Sequence, residues 1–302
     1  MLTPPYLKAK DKIGIVSTAR KISYEEIKPA IKMFNDWELE VVLGKNLFKE
    51  YNQFAGNDEE RTSDFQQMLD DNSIKAVICA RGGYGSVRII DKLDFRNFKK
   101  NPKWVAGFSD ITVLHSHINK NYNIETLHAA MLLNMPEKWN ENNSFITMQK
   151  ALFGENISYQ IPENKLNKKG KAEGVLTGGN LSVLYSLNGS ISDIDTNNKI
   201  LFIEDLDEYL YHIDRMFMNL KRSGKLENIA GLIVGGMTEM KDNTIPFGKT
   251  AYEIISETVA EFNYPVCFDF PAGHIEDNRA LFMGRKVKLD VSENIITLKF
   301  EV

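Results

Sequence analysis

Three residue types that together could hydrolyse an acyl bond stand at the ends of apolar runs in this chain. Ser109 follows the run WVAGF, Glu204 follows ILFI, and His274 lies in the loop FPAGH. A serine hydroxyl becomes a nucleophile when a base accepts its proton and a third group orients that base. The three types therefore suit a serine hydrolase, and each also has a plainer structural interpretation.

Ser109 stands between a predicted strand and a predicted helix. A serine at such a junction is typically an N-cap, whose hydroxyl accepts a hydrogen bond from the helix backbone. The GxSxG nucleophile motif is incomplete here, because Gly107 and Ser109 are present but position 111 is Ile. The local pattern leaves the cap and the nucleophile both open.

The five histidines differ in their surroundings. His115 and His117 are two apart on a predicted helix and do not share a face, so they are ordinary helix residues. We expect His128 to be packed and His212 to be packed or solvated on its helix. His274 lies in a Pro/Gly loop after an apolar run, and catalytic groups tend to lie on loops held by rigid strands.

Pattern alone does not choose among the carboxylates after the run ILFI. Glu204 ends the run, and Asp205, Asp207 and Glu208 follow it. The sequence has no HExxH motif and no cysteine spacing of the zinc type. We therefore expect neither a metal nor a cofactor.

The glycine-rich loop RGGYG, residues 81–85, follows the predicted strand KAVICA. In open parallel sheets, ligands bind at the carboxyl ends of strands. Backbone N–H groups of such a loop can converge on a developing negative charge. The loop lacks both the GxxxxGK[ST] and the GxGxxG patterns of nucleotide sites, and a tight turn with positive φ is the plainest interpretation.

The first part of the chain alternates between strands and helices, which predicts a parallel α/β sheet. The predicted strands are KIGIVS, LEVVLG, KAVICA and WVAGF. The predicted helices are 24–37, with Ile27, Ala30, Ile31 and Phe34 on one face, a helix capped by Asn57, SVRIIDKL and SDITVLHSHI.

A polar stretch predicts a division into domains at 1–138, a linker at 139–171 with one weak helix at 145–152, and a second domain at 172–302. The second domain has predicted strands KILFIED and GLIVGG and helices 209–226 and 247–262. Two terminal strands joined at 292–294 predict a hairpin.

Composition sets the broad class. With about 150 residues per domain, 302 residues suggest two domains. A net charge of −4 without a basic face argues against nucleic acid, and the Lys-rich run 165–171 is expected to be a solvated loop. No apolar stretch reaches the roughly 18 residues of a membrane span. With no visible signal peptide and two cysteines, Cys79 and Cys267, in apolar runs, we expect a cytoplasmic protein with buried thiols.

Several motifs in order resemble the serine LD-carboxypeptidase family, which includes muramoyl-tetrapeptide carboxypeptidases and microcin C self-immunity hydrolases. They are FAGNDEERTSDF with RGGYG, GFSDIT, TGGNLSVL, LFIEDLDE with HIDRMFMNLKRSGKL, GLIVGG and FPAGHIEDN. The resemblance implies a Ser109–His274–Glu204 triad, with an oxyanion hole made by the N–H groups of Gly83 and Asp110. It also implies an α/β N-terminal lobe, a linker, a β-rich C-terminal lobe and a homodimer.

The implied reaction cleaves the bond between an L-configured residue and a terminal D-amino acid, here D-alanine of a murein tetrapeptide in cell-wall recycling. A carboxypeptidase must also bind the free carboxylate, and Arg81 and Arg279 are the candidates. Since the serine lies in the first domain and its partners in the second, we expect the site between the domains and an inactive isolated first domain.

Three alternatives remain. A microcin-immunity type hydrolase would keep the triad and cleave peptidyl- or aminoacyl-nucleotides, with an aromatic such as Trp139 stacked on the base. A non-catalytic protein would bind a peptide or nucleotide at RGGYG without turnover. A Rossmann-like enzyme would bind a nicotinamide or flavin.

Overall fold

The computed structural model describes residues 1–133 and 135–301, so Asn134 and Val302 of the two predicted domains lie outside it. The chain forms two compact units. Unit 1 comprises Met1–Glu155 and Arg279–Phe282, and unit 2 comprises Asn156–Asn278 and Met283–Val302.

The described residues contain thirteen strands and eight α-helices. The strands are β1 Lys12–Val16, β2 Glu40–Leu43, β3 Ile74–Cys79, β4 Trp104–Gly107, β5 Thr126–His128, β6 Ser158–Pro162, β7 Gly170–Asn180, β8 Lys199–Leu206, β9 Gly231–Thr238, β10 Val266–Cys267, β11 Leu281–Met283, β12 Lys286–Val291 and β13 Ile295–Phe300. The helices are α1 Tyr24–Asp36, α2 Asp58–Asp70, α3 Arg96–Lys100, α4 Thr112–Tyr122, α5 Asn143–Phe153, α6 Leu181–Leu187, α7 Leu210–Arg222 and α8 Ala251–Thr258.

Unit 1 is built on a six-stranded sheet in the order β11-β5-β4-β3-β1-β2. The pairs β1–β2, β1–β3, β3–β4 and β4–β5 are parallel, which confirms the predicted sheet. The central strands β3 and β4 are almost wholly buried, as is typical of a parallel sheet that helices cover. The carboxyl ends of β3 and β4 are neighbours, so the loops that follow them emerge side by side.

Side-chain caps begin helices α1, α2 and α5 of unit 1. Asn57 caps α2 and forms a reciprocal capping box with Glu60, which confirms the predicted cap. In α1 the buried face includes Met33, whereas Ile31, predicted for that face, is only half-buried. The segment SVRIIDKL forms two short 3₁₀ turns, Ser86–Arg88 and Ile90–Lys92, instead of the predicted helix.

Unit 2 is built on a seven-stranded mixed sheet in the order β10-β9-β8-β7-β12-β13-β6. The first four strands are parallel, and the last three pair antiparallel, which confirms the α/β fold with a β-rich second part. The predicted terminal hairpin is confirmed, since Val291 pairs with Ile296 across the turn. The two predicted helices of this unit are present but shorter, as α7 and α8.

The segment 139–171, predicted as a linker, is divided between the units, and the division falls after Glu155. Helix α5 belongs to unit 1, where Phe145 and Leu152 are buried and the Leu152 carbonyl accepts a hydrogen bond from the Leu7 N–H. Strand β6 pairs with β13 in unit 2. Helix α5 corresponds to the weak helix predicted at 145–152, whereas strand β6 was not predicted.

Across the described ranges, every α-helix is too short or too polar to cross a bilayer.

Candidate active site

The backbone at Ser109 is the first unusual feature of unit 1. Strand β4 ends at Gly107, and Ser109 has φ +62°, in the left-handed region that non-glycine residues rarely adopt. Ser109 then begins a 3₁₀ turn that continues into α4. The N-cap positions of the turn and of α4 are Phe108 and Ile111, so Ser109 is not at a cap position. A serine on a sharp, strained strand-to-helix turn is the geometry of a nucleophile elbow.

The structure explains why the elbow has one glycine instead of two. A Cβ on Gly107 would lie 2.9 Å from Ile111 Cγ1 and 3.2 Å from Cys79 Cβ, and Gly107 has φ +154°. Ile111 is fully buried and has ordinary helical φ, so its position accepts a side chain. The apolar Ile111 fills the space beneath the turn that a second glycine would leave empty.

The loop 81–85 lies against Ser109. A Cβ on Gly82 would be 3.2 Å from Ser109 Cβ and 3.3 Å from its Oγ. Gly83 and Gly85 have φ +107° and +148°, so the loop is also the tight turn expected from its glycines. Close approach and positive φ therefore both require glycine here.

A buried polar network holds the loop and the elbow together. The Arg61 guanidinium donates from Nη1 to the Thr18 carbonyl at 2.5 Å and to the Gly85 carbonyl at 2.9 Å. The Asp110 carboxylate accepts the Ser86 N–H at 2.8 Å, and the Ser86 and Thr18 hydroxyls are 2.7 Å apart. Burial raises the pKa of Asp110, although hydrogen bonds from Ser86 and the charge of Arg61 oppose it. The network joins the residue after Ser109 to the residue after the loop.

Unit 2 contains the predicted acid and base in direct contact. Glu204 lies near the carboxyl end of β8 and is fully buried, and His274 lies in the loop after β10. His274 Nδ1 is 2.6 Å from Glu204 Oε2, and the His274 backbone N–H donates to the same oxygen at 3.1 Å. The carboxylate therefore fixes both the ring and the main chain of His274.

Neighbouring groups hold the histidine loop in place. A Cβ on Gly273 would lie 2.6 Å from Glu204 Cβ, and Gly273 has φ +105°, so only glycine allows the carboxylate to pass beneath the loop. The Gly273 N–H donates to Asn278 Oδ1 at 2.8 Å, and Thr238 Oγ1 donates to the His274 carbonyl at 2.9 Å.

Electrostatics favour a basic imidazole at His274. Burial on its own would lower the pKa of His274, but the charge and hydrogen bond of Glu204, with Asp205 and Glu239, outweigh it and raise that pKa. Burial, followed by the charge of Glu204, raises the pKa of Asp205 to about 7. Asp205 accepts hydrogen bonds from Asn180 Nδ2 and the Leu206 N–H, both at 2.9 Å. Glu204 is thus the carboxylate that contacts the histidine, while Asp205 joins neighbouring strands.

The other histidines have different surroundings. His115 Nε2 is 2.9 Å from the Gly107 carbonyl, and burial lowers the pKa of His115 to about 3. His117 packs against Phe95, and His128 packs against Phe108. His212 of α7 pairs at 2.5 Å with Glu208, which precedes that helix, and the sequence did not predict this pair. In the part of the chain that the structure describes, no three His, Cys, Asp or Glu side chains are grouped as a metal site.

The remaining predicted residues are placed as follows. The Arg81 guanidinium donates to the Lys21 carbonyl at 2.9 Å, and Arg279 is half-buried in unit 1. Trp139 contacts Trp37 edge-to-face at 5.8 Å, so its indole has a packing partner.

Sequence reasoning missed the roles of Arg61 and Asp205. Arg61 occupies the buried face of α2 with Phe65 and Met68, and a charged residue at an apolar helical position was the signal that could have found it. No comparable signal marked Asp205, which stands in a run of carboxylates.

A strained serine elbow and a buried Glu–His pair in an α/β protein are features typical of serine hydrolases. The chain matches the family models for the LD-carboxypeptidase N-terminal domain over residues 13–129 and C-terminal domain over residues 173–289. A Bacillus subtilis (strain 168) protein named "Probable murein peptide carboxypeptidase" is 34% identical over 98% of this chain and 94% of its own. The chain belongs to the LD-carboxypeptidase family, which confirms the resemblance.

Another relative and two solved structures are also similar to this chain. The murein tetrapeptide carboxypeptidase of Pseudomonas aeruginosa is 26% identical over 92% of this chain and 93% of its own. The crystal structure of muramoyltetrapeptide carboxypeptidase from Oxalobacter formigenes has a TM-score of 0.87 at 26% identity, covering 96% of this chain and 99% of that one. A structure of MccF with glutamyl sulfamoyl guanosine has a TM-score of 0.89, covering 100% and 99%, and its 21% identity makes it evidence of the fold alone.

Proposed function

We propose that this protein is a serine LD-carboxypeptidase that releases the terminal D-alanine of a murein tetrapeptide. The observation that carries the proposal is the 2.6 Å contact between His274 Nδ1 and Glu204, combined with the left-handed backbone of Ser109. The names of the relatives from Bacillus subtilis and Pseudomonas aeruginosa support a murein peptide as substrate.

In the proposed mechanism, His274 Nε2 accepts the hydroxyl proton as Ser109 Oγ bonds to the carbonyl carbon of the L-configured residue. Glu204 keeps the Nδ1 proton in place and stabilises the imidazolium. The N–H groups of Gly83 and Asp110 donate to the oxyanion, and losing one such donor typically costs about 10²–10³ in rate.

The intermediate then collapses. The C–N bond breaks, His274 returns its proton to the leaving nitrogen, and D-alanine departs from an ester on Ser109. Water attacks that ester with His274 again as the base, which releases the shortened peptide and restores the serine. Because the nucleophile and its partners lie in different units, this mechanism requires both units to act on one substrate. The homodimer that the family resemblance implies is part of the same proposal.

The test measures the alanine, of either configuration, that is released from a tetrapeptide ending in D-alanine, with the same peptide ending in L-alanine as control. The proposal predicts release from the first peptide only, and none after Ser109→Ala. Release by Ser109→Ala at the wild-type rate would contradict it. Cleavage of an aminoacyl sulfamoyl adenosine in place of the peptide would instead show a microcin-immunity type hydrolase. Edge-to-face packing of Trp139 on Trp37 argues against Trp139 as the aromatic that stacks on the base in that alternative.

A further inference from the structure

A carboxypeptidase of this kind must place a cation close to its oxyanion hole. In the substrate, only the amide nitrogen and the α-carbon of the last residue separate the scissile carbonyl carbon from the terminal carboxylate. The cation therefore has to lie beside the groups that bind the oxyanion. An arginine suits the task, because its planar guanidinium binds a carboxylate through two parallel hydrogen bonds.

Arg20 occupies such a position in unit 1. Its Cγ, Cδ and Nε lie 2.6–2.8 Å from the point that a Cβ on Gly83 would occupy, so the side chain runs directly across the face of Gly83. Its backbone N–H donates to the Gly82 carbonyl at 3.3 Å, and its main chain bridges to Phe54. The Arg20 carbonyl also accepts the Ser17 hydroxyl at 2.6 Å. The backbone of this arginine is thus fixed on the loop that holds the proposed oxyanion donor.

The guanidinium of Arg20 is also available. Within residues 1–155 that the structure describes, it is the one arginine side chain without a protein hydrogen-bond acceptor, ion-pair partner or aromatic ring. The others are committed to protein groups: Arg61 and Arg81 to carbonyls, Arg88 to Asp58, and Arg96 to Asp94. Arg20 is exposed, so a ligand can reach it.

Arg81, one of the two arginines predicted for this role, supports the same segment. It donates to the carbonyl of Lys21, the residue after Arg20, at 2.9 Å. Lys21 itself pairs with Glu50 at 2.5 Å. Of the three neighbouring cations, Arg81 and Lys21 therefore bind protein groups, and Arg20 presents its charge beside Gly83.

We propose that Arg20 binds the free terminal carboxylate of the peptide substrate, an inference that rests on the proposed carboxypeptidase function. Arg20 then makes this enzyme an exopeptidase, because it binds preferentially those substrates that end at the residue being released. Its contribution disappears when the terminal carboxylate is replaced by a neutral amide.

The experiment compares kcat/KM for a tetrapeptide ending in D-alanine with kcat/KM for the same peptide ending in D-alanine amide. We expect wild type to prefer the free acid, and Arg20→Gln to lose about 10- to 100-fold on the acid, the size of a charged hydrogen-bonded pair, with little change on the amide. Arg20→Lys, which keeps the charge but not the fork, should recover part of the preference. Lys21→Gln, which removes a neighbouring charge, should retain it. An equal loss on both peptides in Arg20→Gln, or an unchanged preference, overturns the proposal.

A binding measurement separates this inference from the proposed reaction. Calorimetric titration of Ser109→Ala with the acid and amide peptides needs no turnover. Tighter binding of the acid that disappears in Ser109→Ala/Arg20→Gln supports the role of Arg20 even if wild type releases no D-alanine. Equal binding of the two peptides, or binding of neither, overturns the role of Arg20. D-alanine release by wild type would in that case leave the proposed function intact.

Discussion

The two units build their parts of the proposed site in different ways. In unit 1 the backbone conformation defines the proposed site. Ser109 has φ +62°, and Gly83 and Gly107 have positive φ values that disfavour a side chain. In unit 2 a pair of side chains defines the proposed site, with Glu204 fully buried and 2.6 Å from His274. The backbone conformation of unit 1 exposes a nucleophile and orients N–H groups, whereas the side-chain pair of unit 2 sets the basicity of an imidazole. Substitutions should therefore affect the first part through geometry and the second through charge.

The largest effect is expected at the nucleophile. Ser109→Ala removes the atom that forms the ester, and loss of a triad serine typically lowers kcat by about 10⁶. Because alanine tolerates this backbone no worse than serine does, the midpoint of thermal unfolding should stay within a few degrees of wild type. Steady-state D-alanine release and a thermal melt check both. A fall in activity that merely follows unfolding would show that the serine is structural.

The next effect concerns the charge of Glu204. Glu204→Gln keeps the shape but removes the carboxylate, and the corresponding change in another triad lowers kcat by about 10⁴. Since Glu204 raises the pKa of His274, and His274 is a base only when neutral, wild-type kcat/KM should fall as the pH drops through a value above 6.5, the ordinary pKa of histidine. In Glu204→Gln, burial dominates and the fall should move to lower pH. A pH profile of kcat/KM measures the shift, and an unmoved profile would contradict this role of Glu204.

A third prediction separates close contact from backbone strain. Gly273→Ala places a methyl group 2.6 Å from Glu204 Cβ, whereas a Cβ on Gly248, which has φ +84°, would meet nothing within 4 Å. Both variants carry strain of about 1–3 kcal/mol, but only the first displaces the carboxylate. We expect Gly273→Ala to lose about 10²-fold or more in kcat, since small misplacements of catalytic groups cost that much. Gly248→Ala should keep wild-type kcat, and equal losses in the two variants would refute the contact argument.

The smallest effect should come from Asp205, which acts on His274 only through space. Asp205→Asn removes one of the charges that raise the pKa of His274, so the acidic limb of kcat/KM should move to lower pH, but by less than in Glu204→Gln. Asp207→Asn is the matched control, because Asp207 pairs with Lys241 at 2.6 Å and is not among the charges acting on His274. Equal shifts in the two variants would show a general charge effect.

Local patterns predicted much of the fold but not its non-local parts. Asn57 and the strand before Ser109 were visible because a cap and an apolar run are local signals. Strand β11 was not predicted, since three residues far along the chain join the sheet of unit 1. The 3₁₀ turns of SVRIIDKL were missed because the network of Arg61 and Asp110 holds the loop before them, and tertiary contacts override helix propensity.

The site was predictable to a similar degree. The family resemblance implied that Glu204 and His274 act together, which the residues alone had left open, and the two side chains are 2.6 Å apart in unit 2. The φ of Ser109 could not be deduced from an incomplete motif, which has Ile111 where a second glycine is expected. The position of Arg20 was equally hidden, since its neighbour Gly83 is more than sixty residues away in sequence.

The most direct test of the proposed mechanism is mass spectrometry of the protein during turnover of an ester substrate, a tetrapeptide analogue in which D-lactate replaces the terminal D-alanine. The alkoxide of D-lactate is a better leaving group than the amine of D-alanine, so acylation should be faster and the acyl-enzyme should accumulate before water hydrolyses it. We predict a mass increase equal to the shortened peptide acyl group, located on Ser109 after digestion and absent in Ser109→Ala. Turnover of the ester with the adduct on another residue, or at an undiminished rate in Ser109→Ala, would contradict the mechanism.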